Sequence, residues 1–352
     1  MRAKKARVKT LAHRTPDTDI APIRKLSTGR KKMKAAVYYE NGPPGVFKYE
    51  DVEDPACLPE GIVIEVEAVS IEGGDTLNRA RGDLVTVPHI VGYQAAGTII
   101  EVGAEVKNFK PGQRVTTVNM YGSHAEKRSV FARTAWAIPD NMDIKTAAAI
   151  PVPFGTAHDC LFEFGRLQKG ETVLVQAGAG AVGLAAIQLA KRAGATVIAT
   201  ASSNDRLEKL REYGMDHGIN YRDQDLVAEV KRLTDNRGVN LVVDPVGGST
   251  LQKSVLSLGY RGRISMVGQA GREEMKLDVS TMMGGNQSLS GVFLGAEIFT
   301  DRVYNNIQKL IEDIGKGELK VVLDKSFALK DAAAAHEFIE SRKAFGRVTL
   351  IP

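Results

Sequence analysis

Residues 172–183, TVLVQAGAGAVG, constrain this chain more than any other segment. Their first half, 172–176, is a short β-branched and apolar run suited to a buried parallel strand. Gly178, Gly180 and Gly183 follow in the spacing G-x-G-x-x-G, and an apolar helical run continues to Ala193. In a turn of this kind the first glycine permits a tight bend. The second removes a Cβ so that the backbone can approach a pyrophosphate, and the third lets the new helix pack closely on the strand. A helix opening at Ala177, Ala181 and Val182 offers unpaired N–H groups and a positive dipole end to phosphates. Three spaced glycines alone also make an ordinary turn. Strand, glycines and helix in this order predict a dinucleotide-binding turn.

The next strand, 196–200, identifies the dinucleotide. An NAD site ends this strand in Asp or Glu, which bonds the ribose 2′-OH. Here the chain reads Ala201, Ser202, Ser203, Asn204, Asp205, Arg206. Two hydroxyls and a guanidinium stand where the acid is missing, a set that suits a 2′-phosphate. Ser203 also reads as the N-cap of a helix over 204–213, closed by Gly214, and capping is compatible with phosphate binding. NADPH is the expected cofactor, with Asp205 as the one nearby acid able to reach a ribose.

A chain of 352 residues, 43% hydrophobic and 25% charged, has the composition of a soluble globular protein and the length for two domains. No apolar run approaches the length of a membrane span. Cys57 and Cys160 are too few for a disulfide framework or a Cys-rich zinc lobe, and read as buried free thiols in a reducing cytoplasm. The formal charge of +5 is concentrated at one end. Residues 1–32 carry eleven Lys and Arg against Asp17 and Asp19, and without them 36 basic and 40 acidic residues remain, a net −4. Nucleic acid binding by the core is therefore not indicated. The extension fits a transit peptide, a nucleic-acid-binding arm, or sequence upstream of a true start at Met33, the last being preferred, and is expected to be disordered in each case.

From Met33 onward short strands are expected over 35–39, 62–69, 96–102, 114–117 and 125–130, with helical periodicity only near 75–81. Helices over 141–150 and 155–164 lead into alternating strands and helices, including helices 226–233 and 250–258, which predict a doubly wound parallel sheet. Residues 288–294 read as its last strand. After a helix over 304–316, strands 321–324 and 347–351 are too few to fold alone and return to the first domain. The organisation expected is a basic extension (1–32), a β-rich domain (33–151 with 295–352) and a cofactor domain (152–294).

These residues resemble a known family. The β-rich front half, the turn at Ala177, Gly180 and Gly183, the segment GYQAAG at 92–97, GQRV at 112–115, AAIP at 148–151 and the closing LIP at 350–352 are similar to the medium-chain dehydrogenase/reductase superfamily. Within it the chain most resembles the zinc-independent quinone oxidoreductase group, which includes zeta-crystallin-like proteins. The resemblance runs from about residue 33 to 352. It implies an α/β fold: a Rossmann doubly wound parallel sheet plus a β-rich chaperonin-10-like catalytic domain, with the cofactor between them. It also implies cofactor contacts from Thr156, Tyr221, Val267, Gly268, Phe293, Leu294 and Arg342, the last a second cation near the 2′-phosphate. Homodimerisation through the strand 288–294 is a further implication, since an exposed apolar edge otherwise leaves N–H and C=O groups unpaired.

Zinc-binding members place His and Glu in the segment occupied here by 92–97, and Cys elsewhere. This chain lacks those residues, so no metal is expected, and His89, His124 and His158 read as structural. Without a Lewis acid the acceptor must already be electrophilic. The expected activity is NADPH-dependent hydride transfer to a quinone or to the C=C bond of an α,β-unsaturated carbonyl compound. The alternative is a cofactor-binding, non-catalytic protein of crystallin-like or RNA-binding type. On the substrate side the family's Asn and Tyr are replaced by Glu72 and Leu77, while Asp75 and Arg79 match. Asp75 and Arg79, four apart, suggest a helical ion pair. Glu72 is a candidate proton donor if buried, but its neighbours Gly73 and Gly74 suggest a partly solvated loop and an anchoring role. Tyr93 and Tyr121 are the other candidate donors.

Overall fold

The computed structural model describes residues 32–352. The disorder expected of the basic extension lies outside these residues, apart from Lys32, which opens the first strand.

Strand β1 (Lys32–Val37) pairs antiparallel with β2 (Lys48–Glu53). Strand β3 (Gly61–Ser70) is buried on both faces along most of its length because further strands cover it. Helix α1 (Gly73–Arg81) follows, then β4 (Gln94–Val102), β5 (Arg114–Val118), β6 (Lys127–Phe131) and β7 (Ala135–Ala137). Helix α2 (Ile144–Ala148) is capped by Asp143, whose carboxylate accepts the Thr146 N–H at 2.9 Å. Helix α3 (Pro151–His158) begins at a proline, whose fixed φ suits the first helical position, and runs into a π-helical turn, Asp159–Glu163.

Strand and helix then alternate: β8 (Thr172–Val175), α4 (Ala181–Arg192), β9 (Thr196–Ala201), α5 (Asn204–Arg211), β10 (His217–Asn220), α6 (Leu226–Leu233), β11 (Val239–Asp244), α7 (Gly248–Leu256), β12 (Leu258–Met266), α8 (Ser280–Met283) and β13 (Ser288–Gly291). All pairings in this six-stranded sheet are parallel, in the order β10-β9-β8-β11-β12-β13. The order reverses between β8 and β11, which opens the crevice where dinucleotides bind in such sheets. Short α9 (Leu294–Glu297) and long α10 (Asp301–Gly315) follow. Helix α10 buries Val303, Ile307, Leu310 and Ile311 in the same core as α3 and α4.

The chain ends with β14 (Leu323–Ala328), α11 (Ala332–Glu340) and β15 (Arg347–Ile351). Strand β15 pairs antiparallel with β3, so the tail returns to the first sheet, whose order is β14-β15-β3-β4-β5-β7 with β6 also on β3. Three expectations need correction. The last strand of the parallel sheet stops at Gly291, because Leu294 turns into α9 and is buried. Helix α11 was not expected. Cys57 is half-buried, although Cys160 is fully enclosed and both are free.

Candidate active site

The glycine turn has the geometry its sequence requires. Its position is set from β9: Thr200 accepts the Gly178 N–H through its carbonyl at 2.8 Å and the Ala177 N–H through its hydroxyl at 3.0 Å. Ala177 itself adopts the left-handed region, φ 50°. The Leu184 N–H donates to the Gly180 carbonyl at 2.9 Å. That leaves the N–H groups of Ala181, Val182 and Gly183 without i−4 partners inside α4. A Cβ placed on Gly180 would meet only the Ala177 carbonyl oxygen, at 3.2 Å, so the space before the helix is open. On Gly183 it would strike that oxygen at 2.4 Å and Gly178 Cα at 2.8 Å. The two glycines thus serve different ends, one an approach and the other packing. An open face lined by free N–H groups fits a pyrophosphate. The Gly346 N–H donates to the Ala179 carbonyl at 3.0 Å, so the turn is also held from the C-terminal segment.

At the end of β9, Ser203 caps α5 by accepting the Arg206 N–H at 3.4 Å, and Ser202 is half-buried beside it. The Arg206 guanidinium, expected at a 2′-phosphate, is also engaged within the chain. It donates to the carbonyls of Ala344 at 2.8 Å, Lys343 at 2.5 Å and Arg342 at 3.2 Å. Arg206 therefore orders the loop that carries Arg342. Arg342 in turn donates to the carbonyls of Ala270 at 3.4 Å and Gly271 at 3.5 Å, in the loop after β12. Tyr221 is exposed just beyond β10. The Val267 N–H donates to Asp244 at 2.9 Å, and Gly268 lies so close to the Pro245 carbonyl that a Cβ would stand 2.6 Å from it. Thr156 on α3 is buried, Leu294 packs over Gly155, and Phe293 is exposed.

Glu72 is not a partly solvated loop residue. It is buried at the N-cap of α1, and its backbone N–H donates to Asp75 Oδ2 at 2.8 Å in a capping box. Its Oε1 accepts from both the Arg347 guanidinium and the Gln94 amide. Arg347, also buried, donates further to Ser70 Oγ at 2.6 Å and to the Ile71 carbonyl at 2.5 Å. The other end of the Gln94 amide accepts the Val152 N–H at 2.9 Å. A continuous buried chain thus links β15, the start of α1, β4 and the first turn of α3. Burial pushes the Glu72 carboxyl up to about 8, against the opposing pull of the Arg347 guanidinium.

The expected Asp75–Arg79 ion pair does not form. Asp75 accepts the N–H groups of Glu72 and Tyr93, the latter at 3.1 Å, and Arg79 pairs with Glu340 of α11 at 2.6 Å. Tyr93 opens the segment before β4 and is half-buried, with its hydroxyl accepting from Asn78 Nδ2 at 3.0 Å. His89 is buried with the rings of Tyr38 and Tyr121 beside it, and His158 lies obliquely near the Phe162 ring. His124 Nε2 lies 3.0 Å from His336 Nε2. Among the described residues, no group of three or more His, Cys, Asp or Glu side chains is arranged to hold a metal ion.

Two family models match the chain: the alcohol dehydrogenase GroES-like domain over residues 59–140 and the zinc-binding dehydrogenase domain over 181–316. A 2-haloacrylate reductase from a Burkholderia species is 30% identical, the alignment covering 91% of this chain and 99% of that protein. The rat quinone oxidoreductase-like protein 2 is 32% identical, with 91% and 92% covered. The chain belongs to the quinone oxidoreductase group of the medium-chain dehydrogenase/reductase superfamily. The crystal structure of Escherichia coli quinone oxidoreductase complexed with NADPH superposes with a TM-score of 0.85 at 28% identity, covering 91% of this oxidoreductase and all of that chain.

Sequence reasoning missed three residues that shape the site of this oxidoreductase: Gln94, Arg347 and Asn78. Gln94 stands out in the sequence only as part of GYQAAG, and a lone Arg in a terminal strand carries no local signal. Asn78 had a signal, since it sits one turn after Gly74 on the helix that faces Tyr93.

Proposed function

We propose that this protein transfers hydride from NADPH to a quinone or to the activated C=C bond of an α,β-unsaturated carbonyl compound, without zinc. The observation that carries the reading is the open face of the glycine turn, free N–H groups before α4 with nothing but the Ala177 oxygen near Gly180. NADPH supplies the hydride. The chain's own residues hold its phosphates at α4, with Ser202, Ser203 and the Arg206–Arg342 pair at the 2′-phosphate. The donor set argues against a zinc mechanism here, because the Glu72 carboxylate and the Gln94 amide are committed to Arg347 and Val152, and a buried guanidinium repels a dication. Steady-state NADPH oxidation with a panel of quinones and enones tests the proposal. Turnover with carbonyl acceptors is expected, and tight NADPH binding with no turnover on any of them would instead support a non-catalytic binding protein.

Arg206→Ala is expected to weaken NADPH binding by about 1.5–3 kcal/mol, the range for a hydrogen bond to a charged group, and to change NADH binding little. Isothermal titration with both cofactors checks this. Equal losses would mean that Arg206 acts only by ordering residues 342–344.

Glu72 acts as an anchor in this proposal. Glu72→Gln keeps an acceptor for Arg347 and is expected to alter stability by less than about 1.5 kcal/mol and kcat by only a few-fold. Glu72→Leu strands a buried guanidinium and should cost about 3–5 kcal/mol in denaturant unfolding. A hundredfold loss of kcat in Glu72→Gln would make the carboxyl the proton donor after all.

Assembly as a homodimer is part of the same proposal. Strand β13 is an edge of the parallel sheet, with Leu289 only half-covered, and a symmetry mate would complete its hydrogen bonding. Sedimentation at micromolar concentration should give twice the chain mass; a monomer would contradict it.

A further inference from the structure

We propose that Tyr93 donates a hydrogen bond to the substrate's carbonyl oxygen, and that Asn78 and Gly74 are the positioning residues that aim it. The inference rests on the reductase reading above and deepens it. The Tyr93 ring lies across the first turn of α1. A Cβ built on Gly74 would fall 2.4 Å from Tyr93 Cε2 and 2.8 Å from its hydroxyl oxygen, so only glycine admits the ring in this pose. One helical turn on, Asn78 Nδ2 donates to that oxygen at 3.0 Å. A fixed donor therefore occupies the phenol's acceptor side. Among the described residues no oxygen takes the phenolic proton, which leaves the O–H to be given to a bound molecule.

The backbone around the ring is equally fixed. The Tyr93 N–H donates to Asp75 Oδ1 at 3.1 Å, and its carbonyl accepts from buried Arg128 Nη2 at 2.8 Å. Location supports the assignment. Helix α1 meets the loop after β12 through Arg81 to Gln269 Oε1 at 3.1 Å and Arg272 to Thr76 Oγ1 at 3.4 Å. The neighbouring Gln94 reaches the first turn of α3. Tyr93 thus stands where the first sheet and α1 meet the carboxyl edge of the parallel sheet, the side on which such sheets bind ligands. Burial pushes the phenol up to about 12, so it keeps its proton throughout the neutral range.

The chemistry asks for such a donor. When hydride reaches the carbon conjugated to a carbonyl, the electron pair of the C=C bond moves toward the carbonyl and negative charge grows on its oxygen. A preorganised O–H at that oxygen favours the charged arrangement over the neutral one.

The test compares Tyr93→Phe, Asn78→Asp and Gly74→Ala with wild type, each first shown to be folded by circular dichroism and to bind NADPH. With 2-cyclohexenone or a benzoquinone, Tyr93→Phe should lose about 100-fold in kcat with KM within about threefold, the lower end of losses for one oxyanion donor. Asn78→Asp should lose as much, because the carboxylate accepts the phenolic O–H and turns it from the substrate. A purely structural Asn78 would tolerate this near-isosteric change. Gly74→Ala displaces the phenol without altering it and should give the same loss, which keeps the test open if Tyr93→Phe fails to fold. Binding of 4-nitrophenolate, a mimic of the charged oxygen, read by its absorption shift without turnover, should weaken about tenfold or more in all three. Unchanged kcat and unchanged nitrophenolate affinity in the variants, beside an active wild type, would overturn the assignment alone. A wild type inert toward every carbonyl acceptor would overturn the reductase reading beneath it.

Discussion

Gly180→Val is expected to leave the fold standing and to abolish binding of NADPH and NADH alike. Gly180 has φ −82° and ψ 171°, an extended conformation open to any residue, so valine meets no backbone strain there. Its Cβ would touch only the Ala177 oxygen at 3.2 Å. The cost to folding is the exchange of one weak N-cap residue for a poorer one, about 1 kcal/mol or less. The two valine methyls, however, would fill the space before the free N–H groups of α4. A pyrophosphate displaced by even an ångström loses several charge-assisted hydrogen bonds at once, and two of these at about 1.5–3 kcal/mol each already amount to more than a hundredfold in affinity. Gly183→Val is the informative contrast. Its Cβ would collide with backbone at 2.4 Å and 2.8 Å, so helix and strand would have to part and stability should fall with binding. Denaturant unfolding and cofactor titration of the two variants separate these effects. Gly180→Val with near wild-type affinity would show that the pyrophosphate lies elsewhere.

The sequence was legible where the physics is local. The glycine turn, the helix over 226–233 and the buried strands of the parallel sheet follow from spacing and apolar pattern within a dozen residues. Strand β2, with sequence KYEDVE, escaped because its mostly charged, partly exposed residues carry no strand pattern. Helix α11 escaped because its alanine-rich start lacks a distinct apolar stripe. Glu72 was misread for another reason. Two glycines after an acid suggest open backbone, yet the fold delivers Arg347 from 275 residues away and closes the site over the carboxyl. Asp75 and Arg79 show the same competition: an i,i+4 ion pair is worth a few tenths of a kcal/mol. Two backbone N–H groups for Asp75 and a half-buried Glu340 for Arg79 are better partners.

A pair of imidazoles that neither motif nor resemblance marks as functional is expected to weaken the fold as pH falls, against the raised Glu72 carboxyl, which works the other way. His124 and His336 are fully buried with their Nε2 atoms 3.0 Å apart, and Ser123 Oγ lies 3.2 Å from His124 Nδ1. The Phe47 ring lies close to both. One Nε2 donates and the other accepts, so the contact needs both rings neutral or a single proton shared between them. Burial lowers the His124 pKa from 6.5 to about 3 and pulls His336 well below its ordinary value, with Arg128 opposing charge on the first, and His124 and Arg79 on the second. The folded state therefore refuses protons that the unfolded chain accepts below about pH 6.5. Stability is fully present above that pH and is lost as pH falls toward 3. At pH 4.5, two units below 6.5, His124 alone removes about 2.7 kcal/mol, and His336 adds to it, against a total of about 5–15 kcal/mol for a folded domain. His336→Gln cannot titrate, so its unfolding free energy should gain on that of wild type as pH falls from 7 to 4.5. Identical slopes would remove the pair as the cause. The loss should also reach the cofactor, because α11 carries His336 and Glu340 and leads into the 342–344 carbonyls that Arg206 holds. Cofactor affinity measured down the same pH series should fall in parallel with stability in wild type and less steeply in the variant.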